Sequence, residues 1–509
     1  MSNPILESRV KAKLKSREQR GILRRLGGTS KLHQVRSDNG IERFGKADFS
    51  SSDYLSLASS DALRERFLDA LKQHPSSQNG SAGILGSGGS RLLDGNSPVH
   101  AALEAGLEEF FNAPSALIFN SGYDANVGLF SSVPQAGDVI LYDSLIHASV
   151  HDGMRASRVH PSMCRKFKHN SVSDLRSQIE EILRTCPSIR DGKACVFIAV
   201  ESLYSMDGDF APLHEIVTLA EEQFPFQNAH VIVDEAHSTG IYGENGKGIV
   251  SLLRLEHRVL VRLHTFGKAL ASAGAVIMTT PWLREYLINY ARPFMYTTSL
   301  PIYHIIAMQC VIDMLREGAV QNRIDHLLHL SSYFVRTLRS RLNSIPDSES
   351  IIVLPDQTHT CNDHIYSPGQ PSNMVTASLV SPIIPLLTPS SNPRHWPDAL
   401  ARFLQTGEMD PSATPSSHQM KGVGTLDYTA KRRYLAYDIT PPIVPRAASR
   451  VRICMHAGNT KDEVDGLIEA IVYWVNSVLV HGPGTPQEQS HEVSGESMPE
   501  GQIVARSKL

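Results

Sequence analysis

Between about Ser50 and Leu300, short apolar runs alternate with segments whose apolar residues recur every three or four positions. The runs SALIFN, DVILYDS, ACVFIAVES, AHVIVDEAH, RVLVRLHTF and GAVIMTT are the strand candidates. Most are near-continuously apolar, as strands buried on both faces of a parallel sheet require. Among the helical segments, PVHAALEAGLEEFF is opened by Ser97 as cap and Pro98 at the first helical position. This alternation predicts an α/β fold, a mostly parallel sheet covered by helices on both faces. A long apolar helix, LPIYHIIAMQCVIDMLREG, then leads into a region with fewer strand signals, SLVSPIIPLL and RVRICMHA. That region closes with the helix KDEVDGLIEAIVYWVNSVLV and reads as a smaller α+β domain. The expected organisation is an N-terminal segment over 1–48, a large domain over 49–300, a small C-terminal domain over 301–480 and a polar tail over 481–509. Residues 405–429 are Ser/Pro/Gly-rich and aperiodic, and read as a surface insertion, either without fixed structure or a lid.

Composition narrows the class without naming a function. A chain of 509 residues, 41% hydrophobic and 20% charged, is an ordinary soluble protein of at least two domains. A net charge of −3 gives no bulk attraction to nucleic acid or to an anionic membrane. No run approaches the ~20 apolar residues of a membrane span. Cysteines 164, 186, 195, 310, 361 and 454 are scattered, without metal-ligand spacing, and read as reduced intracellular thiols. The basic N-terminus lacks the apolar core of a signal peptide, and Glu7 and Glu18 argue against a mitochondrial presequence. The final Ser507-Lys508-Leu509 matches a receptor-read peroxisomal address at the end of a polar segment. A peroxisomal import receptor is therefore an expected partner, with the cytosol as the location otherwise.

Candidate chemistry gathers at the ends of the predicted strands, where ligands sit in open α/β sheets. VIVDEAHSTG delivers Asp234 and, three residues on, His237; LHTFGKALASAG delivers Thr265 and Lys268. An aspartate that can pair with a pyridinium nitrogen, followed by a Schiff-base lysine, is the working pair of a pyridoxal phosphate enzyme. Singly, Asp234 reads as a strand-end helix cap and Lys268 as a solvated loop lysine. IFNSGYDANVGLF joins a strand to a helix through Gly122 and Tyr123, aiming free amides at an anion such as a cofactor phosphate. His147, in YDSLIHASVHDG, can stack on a flat cofactor or cap a helix. Ser205, in VESLYSMDGDFAPL, can bond a ring hydroxyl, while the DGD beside it reads as a turn, not a metal site. The glycines of GSAGILGSGGSRLLDGNS fit no nucleotide loop, and would let backbone approach a ligand or a neighbouring subunit.

The stretches FSSSDYLSL, GSGGSRLLDGNSPVHAALE, NSGYDAN, IHASVHDGMRAS, VESLYSMDGD, VDEAHSTGIYG, HTFGKALASAG and YTTSLP run in this order across about half the chain. Together they resemble the α-oxoamine synthase family, and most of all its biotin-pathway branch. These are fold-type I enzymes using pyridoxal 5'-phosphate to condense an amino acid with an acyl-CoA. The resemblance implies that Lys268 holds the cofactor and acts as base, that Asp234 keeps the pyridine nitrogen protonated, and that His147 stacks on the ring. It implies further that His237 and Ser205 bond the phenolic oxygen. Gly122, Tyr123 and Thr265 would hold the phosphate, with Thr298 of YTTSLP reaching across from the second subunit of a homodimer. The implied reaction is a decarboxylative condensation, with alanine and pimeloyl-CoA as substrates. The same chemistry on other substrates of secondary metabolism is the alternative; an aminotransferase, a lyase or a non-catalytic partner subunit would be separated by release of free CoA. Two positions depart from the family pattern. Ser52 in FSSSDY stands in place of an asparagine, and Thr440 in ITPPIVP in place of an arginine, both near the amino acid's carboxylate. The missing guanidinium removes a bidentate contact, for which Arg292, Arg432 and Arg433 are the candidate substitutes.

Overall fold

The computed structural model describes residues 4–20, 22–23, 46–74, 85–355, 359–360, 378–389, 396–407, 409, 433–441 and 443–481. Strand β1 (Lys46–Asp48) precedes the main sheet, which consists of β2 (Ser115–Phe119), β3 (Val139–Asp143), β4 (Cys164–Phe167), β5 (Val196–Glu201), β6 (Ala229–Asp234), β7 (Val261–Thr265) and β8 (Ala275–Thr279). Six of these are the apolar runs. β4 was not foreseen: only Phe167 of its four residues is buried, because it lies at the sheet edge and needs no apolar run.

The strand order is β2-β8-β7-β6-β5-β3-β4. β8 runs antiparallel to both neighbours, and the other pairings are parallel. Its direction follows from chain length: the loop 266–274 is too short to cross back over the sheet, so β7 and β8 form a hairpin. Lys268 sits in that hairpin loop. Successive strand residues pack into separate clusters on the two faces. Ala116, Ile118, Val231 and Val233 lie on one side, and Leu117, Phe119, Ile232 and Leu263 on the other. Helix Pro98–Phe110 starts as expected, with the Ser97 hydroxyl accepting from the His100 amide.

The C-terminal region contributes β9 (His359–Thr360), β10 (Ser378–Leu379), β11 (Ile383–Leu387), β12 (Arg433–Leu435), β13 (Tyr437–Ile439) and β14 (Arg450–Cys454). β11, β14 and β13 form an antiparallel sheet, flanked by the long helices Gln321–Asn343 and Lys461–His481. The chain start is tied to this region. β1 pairs with β12, the Phe49 amide donates to the Leu435 carbonyl, and the Cys454 and Ala457 amides donate to the Phe49 and Tyr54 carbonyls. Residues 46–57 therefore reach the site from the C-terminal side. Helix Pro4–Gln19 is exposed along its length. Among the described residues no helix is long and apolar enough to cross a membrane. Most of the 405–429 insertion, the tail from 482 onward, Gly80 and Arg432 lie outside the described residues.

Candidate active site

β6 ends at Asp234, in register with Glu201 at the end of β5. Asp234 is nearly buried: one carboxylate oxygen accepts from the Ala236 amide (2.9 Å) and the other from Asn126 Nδ2 (2.8 Å). Asn126 lies in helix Gly122–Ser132 and also donates to Ser149 Oγ (3.0 Å), which is 2.7 Å from His147 Nδ1. His147 caps helix Ala148–Arg155 through that nitrogen, accepting from the Ser149 amide. Its ring stays exposed, edge-on to Tyr123 at 6.3 Å. Capping and an open ring face thus coexist in one residue, since the cap uses a ring nitrogen and stacking uses the ring plane.

Lys268 is not a solvated loop lysine. It is half-buried, with Nζ 2.9 Å from His237 Nε2, and His237 Nδ1 is 2.7 Å from the Tyr54 hydroxyl. Burial holds the Lys268 amine below its ordinary pKa, against the opposing charges of Asp234 and Glu201 and with help from Arg452. An amine so placed gives up its proton more readily than a surface lysine. Glu201 is pushed well up by burial and by Asp234 beside it, which favours its neutral form.

At the other end, the amides of Gly122 and Tyr123 open a helix and have no partner among the described residues, while the Ser121 hydroxyl caps Asp124. A Cβ on Gly122 would meet the Thr265 methyl at 2.6 Å, so only glycine lets Thr265 sit this close. The Thr265 hydroxyl donates to the Ala236 carbonyl at 3.4 Å. The phenol of Tyr123 is engaged by Asp152, leaving its amide as what it offers an anion. Thr298 has an exposed side chain, and its carbonyl accepts from Asn120 Nδ2 (2.7 Å), two residues before Gly122. A carboxylate, a depressed amine, an imidazole and an anion-ready helix start suit pyridoxal 5'-phosphate.

Ser205 is half-buried, and its hydroxyl has no partner among the described residues. Its loop is pinned from β14: Arg452 Nη1 donates to the Ser205 carbonyl (3.0 Å), and Arg450 Nη1 to the Met206 carbonyl (3.0 Å) and Asp207 (2.6 Å). The DGD segment is a turn, with Gly208 at φ +65° and its amide on the Tyr204 carbonyl. Among the described residues no group of acidic, His and Cys side chains could hold a metal.

Sequence reading missed Tyr54, Asn126, Glu201 and Arg452. Arg452 bears on the amino-acid side: Nε and Nη2 have no partner among the described residues, and its charge acts on Lys268, His237 and Tyr54. Its signal was RVRIC, a buried strand that nevertheless keeps two arginines. Of the earlier substitutes, Arg292 is exposed with its guanidinium over Tyr296 at 4.9 Å, and Arg432 and the Arg433 side chain lie outside the described residues. Thr440 donates to Asp438 (3.4 Å), and Ser52 is half-buried two residues before Tyr54.

Comparison with known proteins agrees with this geometry. Residues 45–379 match the profile of Aminotransferase class I and II. The chain is 41% identical over 428 residues to the 8-amino-7-oxononanoate synthase of Emericella nidulans, covering 84% of this chain and 89% of that protein. It is 33% identical over 432 residues to the aminoacyl transferase sphA of Aspergillus fumigatus, covering 85% and 81%. A solved serine palmitoyltransferase from S. paucimobilis, with PLP and myriocin bound, shares the fold at a TM-score of 0.63 and 22% identity, over 86% and 88% of the two chains.

Proposed function

The chain belongs to the α-oxoamine synthases, pyridoxal 5'-phosphate-dependent acyltransferases of the class I and II aminotransferase family, and we propose that it joins alanine to pimeloyl-CoA, releasing carbon dioxide and CoA to give 8-amino-7-oxononanoate. The observation that carries the chemistry is Lys268, a half-buried amine within hydrogen-bond reach of His237 and close enough to Asp234 to feel its charge. The choice of substrates rests on the greater likeness to the synthase, 41% against 33% for the aminoacyl transferase.

When bound, the cofactor supplies an electron sink for the pair left at the amino acid's α-carbon. Lys268 would hold it and, once the substrate's amine has displaced the lysine from the cofactor, its freed Nζ would take the α-proton. Asp234, fixed by Ala236 and Asn126, sets its negative charge against the pyridine nitrogen. His147 offers its open ring face to the flat ring. His237 and Ser205 bond the phenolic oxygen, and the amides of Gly122 and Tyr123 take the phosphate beside Thr265. Arg452 takes the amino acid's carboxylate through Nε and Nη2, in the role that Thr440 cannot fill. A homodimer, with Thr298 entering from the second copy, and a peroxisomal location complete the reading.

A panel tests it. Purified protein with cofactor is given alanine, glycine or serine against pimeloyl-CoA or palmitoyl-CoA, with free CoA and product mass followed. Turnover is expected with alanine and pimeloyl-CoA. Turnover only with other pairs would move the protein to the secondary-metabolite reading that the aminoacyl transferase likeness favours, and amino-group transfer without CoA release would sink the synthase reading. In the same assay Arg452→Gln should raise KM for the amino acid about 10–100-fold, a charged hydrogen bond contributing about 1.5–3 kcal/mol.

A further inference from the structure

We propose that Asn126 and Ser149 are positioning residues that extend Asp234 into a one-way hydrogen-bond chain ending on His147, so that this ring stays neutral with its proton on Nε2. The inference rests on Asp234 and His147 being the groups set against the cofactor ring. The links are close: the Asp234 carboxylate to Asn126 Nδ2 at 2.8 Å, Asn126 Nδ2 to Ser149 Oγ at 3.0 Å, and Ser149 Oγ to His147 Nδ1 at 2.7 Å. Asp234, Asn126 and Ser149 are buried, whereas His147 is exposed.

The direction of each bond is fixed by groups that can only give or only take. A carboxylate only accepts, which turns the amide nitrogen of Asn126, not its oxygen, towards Asp234. The second hydrogen of that nitrogen goes to Ser149 Oγ, whose own proton is left for His147 Nδ1. The Ser149 backbone amide, which can only donate, also points at Nδ1, at 3.2 Å. With two donors on Nδ1 the imidazole proton sits on Nε2, which has no partner among the described residues. Protonating Nδ1 would set N–H against N–H. It would also turn the serine hydroxyl away from its one acceptor among the described residues.

The charges around the ring pull both ways. Desolvation at its packed inner edge lowers the imidazole's pKa, Asp234 at the end of β6 and Asp152 on its own helix raise it, and Lys268 in the β7–β8 loop lowers it, leaving it below the ordinary value. His151, His237, Glu201 and Tyr123 are the further ionisable neighbours. Two donors on Nδ1 hold the ring neutral against the two aspartates, because protonation there would lose both bonds. Neutrality suits the site. An imidazolium stacked on a ring whose nitrogen Asp234 keeps protonated would set two positive charges face to face.

The test follows the ring's protons directly. Full-length protein labelled with nitrogen-15 in histidine is titrated by NMR, with and without cofactor, as wild type, Ser149→Ala and Asn126→Ala; His147→Gln identifies the signal. The wild-type ring should be neutral and protonated at Nε2 near pH 7 in both forms, because the chain is complete in the protein itself. Both variants should take up the second proton at a pH about half to one unit higher, the size of one neutral hydrogen bond. A merely structural defect would not move that titration upward in both. A wild-type proton on Nδ1, a charged wild-type ring near pH 7, or variants that titrate with the wild type would overturn the chain, and the first two outcomes need no variant to fold. Cofactor absorbance separates the two readings: protein that takes up no cofactor sinks the reading of the site, whereas loaded protein with its proton on Nδ1 sinks only the chain.

Discussion

Asp234 and Ser205 touch the same bound ring in the proposed reading but offer it different things. Asp234 offers a full charge, held by two donors that an amide side chain could not accept from equally. Ser205 offers one neutral hydroxyl, a contribution of about 0.5–1.5 kcal/mol. Asp234→Asn should therefore lower kcat/KM by about a hundredfold or more, against about tenfold at most for Ser205→Ala, both measured by CoA release. Equal losses would show that the two roles are misassigned. Asp234, His237 and Lys268 were legible in the sequence because strand ends deliver their polar residues to one edge of the sheet. Tyr54 was not, since its partner His237 is 183 residues away and nothing local marks a buried tyrosine as engaged.

Between elements, His169 joins segments that strand prediction treated separately. Nδ1 is 2.8 Å from Asp143 at the end of β3, and Nε2 is 2.8 Å from Asp209 in the loop that carries Ser205. Burial alone would lower this imidazole's pKa, but hydrogen bonds to the two carboxylates raise it to about 10 from 6.5. The sign follows. A raised folded-state pKa gives stability that is full below about 6.5 and is lost as pH rises through about 10. His169→Asn should cost about 2–3 kcal/mol at pH 6, and its deficit against wild type should shrink towards pH 10 in denaturant melts. A deficit that stays constant across that range would contradict this account. The strand β4 that precedes His169 was itself missed, so the sequence could show the histidine but not where it sits.

For the whole molecule, one prediction concerns location, and it falls on residues outside those described. Removing Ser507–Leu509 should move an N-terminally tagged protein from peroxisomes to cytosol while leaving CoA release in vitro unchanged; an unmoved protein would sink the peroxisomal proposal. By itself, the sequence determined what depends on near neighbours: which runs become buried strands, where Ser97 caps a helix, and which strand ends carry Asp234 and Lys268. Periods of two and 3.6 residues and the glycines at tight joins are local properties that any fold must respect. Tertiary structure decided what depends on closing long loops. It set residues 46–57 against β14, brought the charge of Arg452 to bear on Lys268 and His237, and gave the lysine its half-buried surroundings. A pKa, an open ring face or a guanidinium with free donors is set by everything packed around it, and packing brings together residues that the chain keeps far apart.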